Sequence, residues 1–250
     1  MKQSNKQSTN NTETFVFISD IHIPYEDKKS LRLTLDFIYN LKPTTLILGG
    51  DIIDCADISF FDKNPERINT FQRELDECKK YLTEIRKNLP NTKIFYIDGN
   101  HEGLRLERWL MRNIALASLD VLTIPKLLEL DKFGIEYVKN IIHKNFLFKH
   151  GEFCGQYPAT KELNHERLNG ISGHVHRITT AYQTSRLHTL SWHTNGHLSD
   201  TKQVLYGTQI KNWQQGFTVI TFKDNDFYVE PIYINESNYS FIYGGKVWKS

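Results

Sequence analysis

The sequence predicts an α/β protein whose two β-sheets pack face to face, with helices on the outside. Two observations carry that expectation. Through the first half, short apolar runs that suit strands alternate with segments of helical period, the pattern of βαβ units. After about residue 133 the helical period fades, and short strand-like segments follow one another.

Residues 15–18 (FVFI) open the series, followed by 46–48 (LIL), 94–97 (IFYI) and 146–148 (FLF). Each is apolar at consecutive positions, as expected of a strand buried on both faces. Ser30 is placed to cap a helix reaching Asn40, which ends before Lys42-Pro43. Across residues 65–88, Leu75, Cys78, Leu82 and Ile85 recur at steps of three and four, with Leu89 just beyond, and form one apolar stripe. Later strands are expected around 135–138, 171–172, 189–192, 217–222 and 227–234, with Asp224-Asn225-Asp226 turning between the last two. No internal repeat or long linker divides the chain. Residues 1–13 read as a disordered lead-in, 14–235 as a single domain, and 236–250 as an aromatic tail. That tail carries Tyr239, Phe241, Tyr243 and Trp248, which suit a docked last strand or an oligomer contact.

Composition excludes several classes. Apolar residues make up 39% and charged residues 24%, as in ordinary globular proteins. No apolar run approaches the roughly 20 residues that span a bilayer. The polar start lacks the apolar core of a secretory signal, so the expectation is a cytoplasmic protein with no membrane partner. Cys55, Cys78 and Cys154 are odd in number and unpaired in spacing, against both a disulfide framework and a thiolate zinc site. A net charge of +2 gives no strong non-specific pull on nucleic acid. Ten histidines is a high count for this length, and their placement is informative.

Polar residues follow the apolar runs. Residues 15–18 lead to Asp20-Ile21-His22, 46–48 to Gly50-Asp51 and Asp54, and 94–97 to Gly99-Asn100-His101-Glu102. Residues 146–148 lead to His150-Gly151, and 171–172 to Gly173-His174-Val175-His176. Ligand sites of open α/β sheets lie just beyond the carboxyl ends of strands. Five strand ends therefore deliver carboxylate, amide and imidazole groups to one edge. Residues i and i+2 of an extended segment share a side, so Asp20 with His22, and His174 with His176, can each present a pair. Such a set of oxygen and imidazole donors suits Mn, Fe, Zn, Co or Ni.

In that order, Asp20-x-His22, Gly50-Asp51-x-x-Asp54, Gly99-Asn100-His101-Glu102, His150-Gly151 and Gly173-His174-x-His176 resemble the signature of the calcineurin-like metallophosphoesterases. The likeness spans residues 14–177. Within the family, residues 59–67 (SFFDKNPER), 99–108 (GNHEGLRLER) and 212–217 (NWQQGF) are similar to a group encoded by phages and bacteria. The resemblance implies a four-layer α/β/β/α sandwich of two mixed sheets flanked by helices. It implies two divalent ions, manganese foremost: one on Asp20, His22 and His176, the other on Asn100, His150 and His174, with Asp51 bridging. It makes His101 the catalytic histidine, with Glu102 orienting it, and a bridging hydroxide the nucleophile. Cys55 stands where the protein phosphatases of the family carry a phosphate-gripping arginine, which weakens that reading.

The implied activity is phosphoester hydrolysis, with a phosphodiester, nucleotide or other phosphorylated small molecule as substrate. The alternatives are a phosphomonoesterase, a nuclease acting on DNA or RNA, and a non-catalytic metal-binding scaffold. Arg105, one turn into the helix expected after Gly99, and Asp54 are candidate substrate contacts, against the reading of Arg105 as part of a solvated face with Arg108 and Arg112. Residues 60–71 are a candidate cleft wall. His193 and His197 are candidate supports of the site, or solvated loop residues.

Overall fold

The computed structural model describes residues 12–60, 70–204 and 211–250. Its first sheet runs in the order β11-β10-β1-β2-β3-β4 and its second β5-β6-β7-β9-β8. In chain order the elements begin with β1 (Thr12–Ile18), α1 (Lys28–Leu41), β2 (Thr45–Leu48), α2 (Phe71–Asn88) and β3 (Lys93–Ile97). A π-helical turn (Asn100–Leu104) leads into α3 (Arg105–Arg112), α4 (Ile114–Ala117) and α5 (Ile124–Leu127). Then come β4 (Ile135–Val138), β5 (Asn140–His143), β6 (Phe146–Lys149), α6 (Pro158–Glu166) and β7 (Asn169–Ser172). The chain closes with β8 (Thr179–Thr184), β9 (Thr189–Thr194), α7 (Thr201–Val204), β10 (Gly216–Lys223), β11 (Asp226–Tyr233), β12 (Ser240–Tyr243) and β13 (Lys246–Lys249).

Three apolar clusters correspond to the three seams between four layers. Val16 and Ile18 of β1 pack with Leu31, Leu35 and Ile38 of α1 and Leu82 of α2. The alternate residues, Phe15 and Phe17, point the other way and meet Phe146, Phe148 and Ile171 of the second sheet. Leu147 and Trp192, on that sheet's outer face, meet Ala159 and Leu163 of α6. Strand alternation thus explains why FVFI is apolar throughout: every residue faces a buried layer. The fold is an α/β/β/α sandwich of two mixed sheets flanked by helices, the metallo-dependent phosphatase fold.

Several local expectations change. Asp27, not Ser30, caps α1, accepting from Lys29 N at 3.1 Å and Ser30 N at 2.9 Å. Ser30 lies inside the helix and turns its hydroxyl to Gln215. Strand β1 begins at Thr12, ahead of its apolar run, because residues 12–14 pair with 221–223 of β10. The division into a parallel half and a strand-rich half does not hold for the first sheet, since β10 and β11 return to it beside β1. Phe217 and Val219 serve its helical side, and Ile220 and Phe222 its inner side. The turn expected between those strands lies at Asp224-Asn225, between paired Lys223 and Asp226. Helix α2 starts after Thr70, whose Oγ1 accepts from Arg73 N at 3.2 Å, and the Leu75, Cys78, Leu82, Ile85 stripe is buried. Strands β12 and β13 pair as a hairpin whose Phe241, Tyr243 and Trp248 gather round Phe37 of α1 at 5.0–5.3 Å.

Candidate metal centre

All five motif segments meet at the carboxyl ends of β1, β2, β3, β6 and β7. Asp20 N donates to Gly50 O at 3.0 Å and His22 N to Asp51 O at 3.0 Å, tying the segments after β1 and β2 together. His174 N donates to both carboxylate oxygens of Asp20 at 3.1 Å, which brings in the segment after β7. The pairing of i and i+2 residues does not come from extended backbone. Asp20 and His22 (φ 55° each), Asp51 (φ 52°), His174 (φ 72°) and His176 (φ 57°) all lie in the left-handed region. That conformation is uncommon outside glycine and costs roughly 1–2 kcal/mol per residue. Five such residues at one edge mark a site the rest of the fold holds in place. Gly50 is required as well, since a Cβ there would meet His150 Nδ1 at 2.6 Å.

The structure gathers three groups able to hold a cation, each with its donor atoms within 4.8 Å of one another. They are Asp20 with His22 and His176, Asp51 with His150 and His174, and His22 with Asp51 and His101. In the second group, His150 Nδ1 lies 2.9 Å from Gly49 O, which can only accept. The other nitrogen, Nε2, faces Asn100 Oδ1 at 3.0 Å and Asp51 Oδ2 at 3.3 Å, both acceptors. In the first group, His22 Nε2 faces His176 Nε2 at 3.1 Å, and the latter lies 3.2 Å from Asp20 Oδ1. Acceptors crowded in this way hold together around positive charge, and without a cation a proton must serve. Burial opposes the charge on His150, yet the Asp51 and Asp20 carboxylates push its pKa up to about 10. Burial likewise opposes the Asp20 carboxylate, but His176 and His150 hold its pKa down at about 2. The donor set fits divalent metal ions.

His101 is fixed on three sides. Its backbone N donates to Asp51 Oδ1 at 2.8 Å, its Nδ1 lies 3.0 Å from Asp54 Oδ1, and its Nε2 lies 2.8 Å from Arg105 Nη2. With both ring nitrogens engaged, His101 has none free for a metal, although it falls within the third group.

Three expectations need correction. Glu102 does not stand behind His101: its carboxylate accepts from Asp51 N at 3.0 Å, Ile52 N at 2.6 Å and the Tyr96 hydroxyl at 2.7 Å. It braces the loop that carries Asp51, and burial together with the Asp51 charge raises its pKa to about 7. Asp54 is buried rather than facing substrate, and its Oδ1 sits between His101 and His22 Nδ1 at 3.1 Å. Arg105 is 7% exposed and turned inward, which excludes the solvated-face reading for this residue. Residues 61–69 of the expected cleft wall lie outside the described residues.

His193 and His197 are both buried, so neither is a solvated loop residue. His197 stacks on His176 with ring centres 5.1 Å apart. His193 lies instead beside Phe146, with its Nδ1 3.0 Å from Thr180 Oγ1. Sequence reasoning missed Trp213, whose ring centre is 4.3 Å from that of His176, and Cys154, whose Sγ is 3.0 Å from His174 Nε2. It also missed the relay from Thr218 through Asn195 and Ser19 to Asp20 Oδ2, with steps of 2.8, 3.1 and 2.6 Å. The motif NWQQGF was the available signal for Trp213; the relay residues are ordinary polar side chains with no spacing to mark them. An open cleft of about 640 Å³ adjoins Asn100 and His150, lined also by Asp98, Glu107, Lys139 and Glu152. A larger cleft of about 710 Å³ lies elsewhere, between Tyr182, His193 and Tyr228.

The fold and these histidine–aspartate clusters support a metal-dependent hydrolase. The chain belongs to the calcineurin-like phosphoesterase family, whose model matches residues 13–200. It is similar to the Gene 54 protein of Mycobacterium phage L5, 25% identical over 263 residues that span 95% of this chain and 99% of that protein. The Gene 54 protein of Mycobacterium phage D29 is 24% identical over 267 residues, with the same coverage of 95% and 99%. Similar solved structures include Vacuolar Protein Sorting 29 from Cryptosporidium parvum, with a TM-score of 0.48, 10% identity and 96% of each chain covered. Another is the Pseudomonas putida nuclease MPE, with a TM-score of 0.39, 14% identity, and 86% and 87% of the two chains covered. Among the described residues, no helix is long and apolar enough to cross a membrane.

Proposed function

We propose that the protein is a phosphoesterase working with two divalent ions, manganese the preferred metal, on a small phosphodiester or nucleotide. The observation that carries this reading is the pair of facing donor groups, Asp20/His22/His176 and Asp51/His150/His174, within one buried edge. Asn100, its Oδ1 3.0 Å from His150 Nε2, completes the second, and Asp51 is placed to serve both. Two ions held there would neutralise phosphoryl oxygens and acidify a water toward neutral pH.

The protein's own groups supply the rest. Asp54 and Gly49 fix the rings of His22 and His150 by accepting hydrogen bonds from their Nδ1–H groups, so each ring offers Nε2 to the metal. His101 is the catalytic histidine; its Nε2, which accepts from Arg105 at rest, must first take up a proton, such as one released by the attacking water, before it can donate to the leaving alkoxide. Asp98, Glu107, Glu152 and Glu166 outnumber Lys139 and Lys149 in the lining of the adjoining cleft, which favours a small substrate with hydroxyl or amino groups over a nucleic acid strand that needs a basic track. Cys55 is buried, and its position offers no cation to a phosphorylated protein.

The test is a screen of p-nitrophenyl phosphate, its bis-ester, nucleotides, cyclic nucleotides and single-stranded DNA with added Mn²⁺. Faster turnover of the bis-ester or a nucleotide supports the reading. Preference for DNA with steep salt dependence would replace it by the nuclease reading, and full metal loading with no turnover by the scaffold reading.

A further inference from the structure

Arg105 occupies an unexpected place. It opens α3 directly after the π-helical turn that carries Asn100 and His101, and its side chain reaches back to His101 and to Asp54. Nη1 donates to the backbone carbonyl of Asp54 and lies 3.7 Å from Asp54 Oδ2, while Nη2 is 2.8 Å from His101 Nε2. A guanidinium has donors only, so the His101 nitrogen it touches must present a lone pair. The ring's single proton then sits on Nδ1, where Asp54 Oδ1 accepts it at 3.0 Å. The imidazole is thus held from both ends by two groups that also hold each other.

We infer that Arg105 is a positioning residue for His101, fixing both the plane of its ring and the nitrogen that carries its proton. The inference rests on the reading of His101 as the catalytic histidine. Nε2 is the ring atom that lies 3.7 Å from Asp51 Oδ2, the carboxylate placed to serve both ions in the proposed function. Arg105 reserves that atom. The fork geometry matters: one arm stays on the Asp54 carbonyl while the other holds, or releases, Nε2. A lysine offers one nitrogen in place of two and no rigid plane, so it reproduces the paired contacts only in part. The arrangement also explains why the arginine that opens this helix is buried instead of solvated, a buried guanidinium being tolerated when its donors are matched.

The experiment compares wild type with Arg105→Met and Arg105→Lys, using histidine ¹⁵N spectra of the zinc-loaded protein and steady-state kinetics on the best substrate of the screen. The spectra of wild type should show His101 with Nδ1 protonated and Nε2 bare, and Arg105→Met should mix the two tautomers. Metal content should stay equal, with kcat lower by about 10–100-fold and KM within about threefold. Arg105→Lys should recover only part, and millimolar guanidinium added to Arg105→Gly should raise its kcat. An unchanged tautomer in Arg105→Met overturns the inference. So does a KM raised more than about 30-fold at constant kcat, which would make Arg105 a direct phosphate contact. The spectra need no substrate, so they separate failure of this inference from failure of the proposed activity.

Discussion

Asp54 Oδ1 lies 3.0 Å from His101 Nδ1, and the same oxygen lies 3.1 Å from His22 Nδ1. One carboxylate thus orients a candidate metal ligand and the candidate catalytic histidine together. Burial opposes the charge on Asp54, yet the His101 and His22 imidazoles hold its pKa far below the usual carboxylate range. Asp54→Asn keeps the shape but offers only one acceptor and no charge. It should lower kcat by about 10²-fold or more and weaken metal binding by about 10–100-fold, as loss of an outer partner of a metal-bound histidine does. Kinetics combined with metal titration checks this. Loss of activity at unchanged metal affinity would confine Asp54 to His101.

The three candidate metal groups overlap at Asp51 and His22, and two variants separate their roles. His101→Gln should retain its metal, because both nitrogens of that ring are engaged by Asp54 and Arg105, while kcat falls by about 10²–10⁴-fold. Asp51→Asn should lose metal and activity together. Metal analysis after gel filtration decides the matter. A metal-depleted His101→Gln protein would move His101 into the ligand set.

Glu102 supports Asp51 and not His101, which gives a stability prediction. In Glu102→Ala, the amides of Asp51 and Ile52 and the hydroxyl of Tyr96 lose a buried acceptor. The expected cost is about 3 kcal/mol, from roughly 1–3 kcal/mol per unsatisfied group with partial relaxation. At about 2–4 °C per kcal/mol for a chain of this size, Tm should fall by roughly 6–12 °C. Calorimetry measures it. An unchanged Tm with a large drop in kcat would restore the role expected from the sequence, that of orienting His101.

The contrast between Glu102 and Asp54 shows where sequence reasoning reaches and where it stops. The α/β layering was legible because strands buried on both faces and a helix of regular stripe leave direct periodic traces, as in residues 15–18 and Leu75 to Ile85. The convergence of Asp20, His22, Asp51, His150, His174 and His176 was legible because ligands at strand ends must lie at one edge. The left-handed backbone that aims them leaves no such trace, since aspartate and histidine in that conformation look like any others in a list. Nor does spacing say which carboxylate reaches which imidazole. Glu102 is adjacent to His101 in sequence, yet the π-helical turn directs its side chain toward β3 and the β2 loop. Asp54, 47 residues away, arrives through the fold.

The last prediction concerns pH and a residue outside the metal centre. His193 lies on β9 beside Phe146, and burial pushes its pKa down to about 4. In the unfolded chain an imidazole titrates near 6.5. Between those values the unfolded chain binds a proton that the folded protein refuses, so stability rises with pH across that window. The contribution is fully present above about pH 6.5 and is lost as pH falls through about 4, amounting to roughly 3 kcal/mol at most. His193→Asn removes the titration while keeping a polar group opposite Thr180. Carboxylates and metal-site histidines titrate in both proteins and cancel in the difference. Urea unfolding of each at several pH values should therefore show wild type losing more stability than the variant between pH 6.5 and 4, the gap widening toward the acid end. Parallel curves across that window would mean that His193 accepts its proton in place, and that the seam around Phe146 is open enough to solvate it.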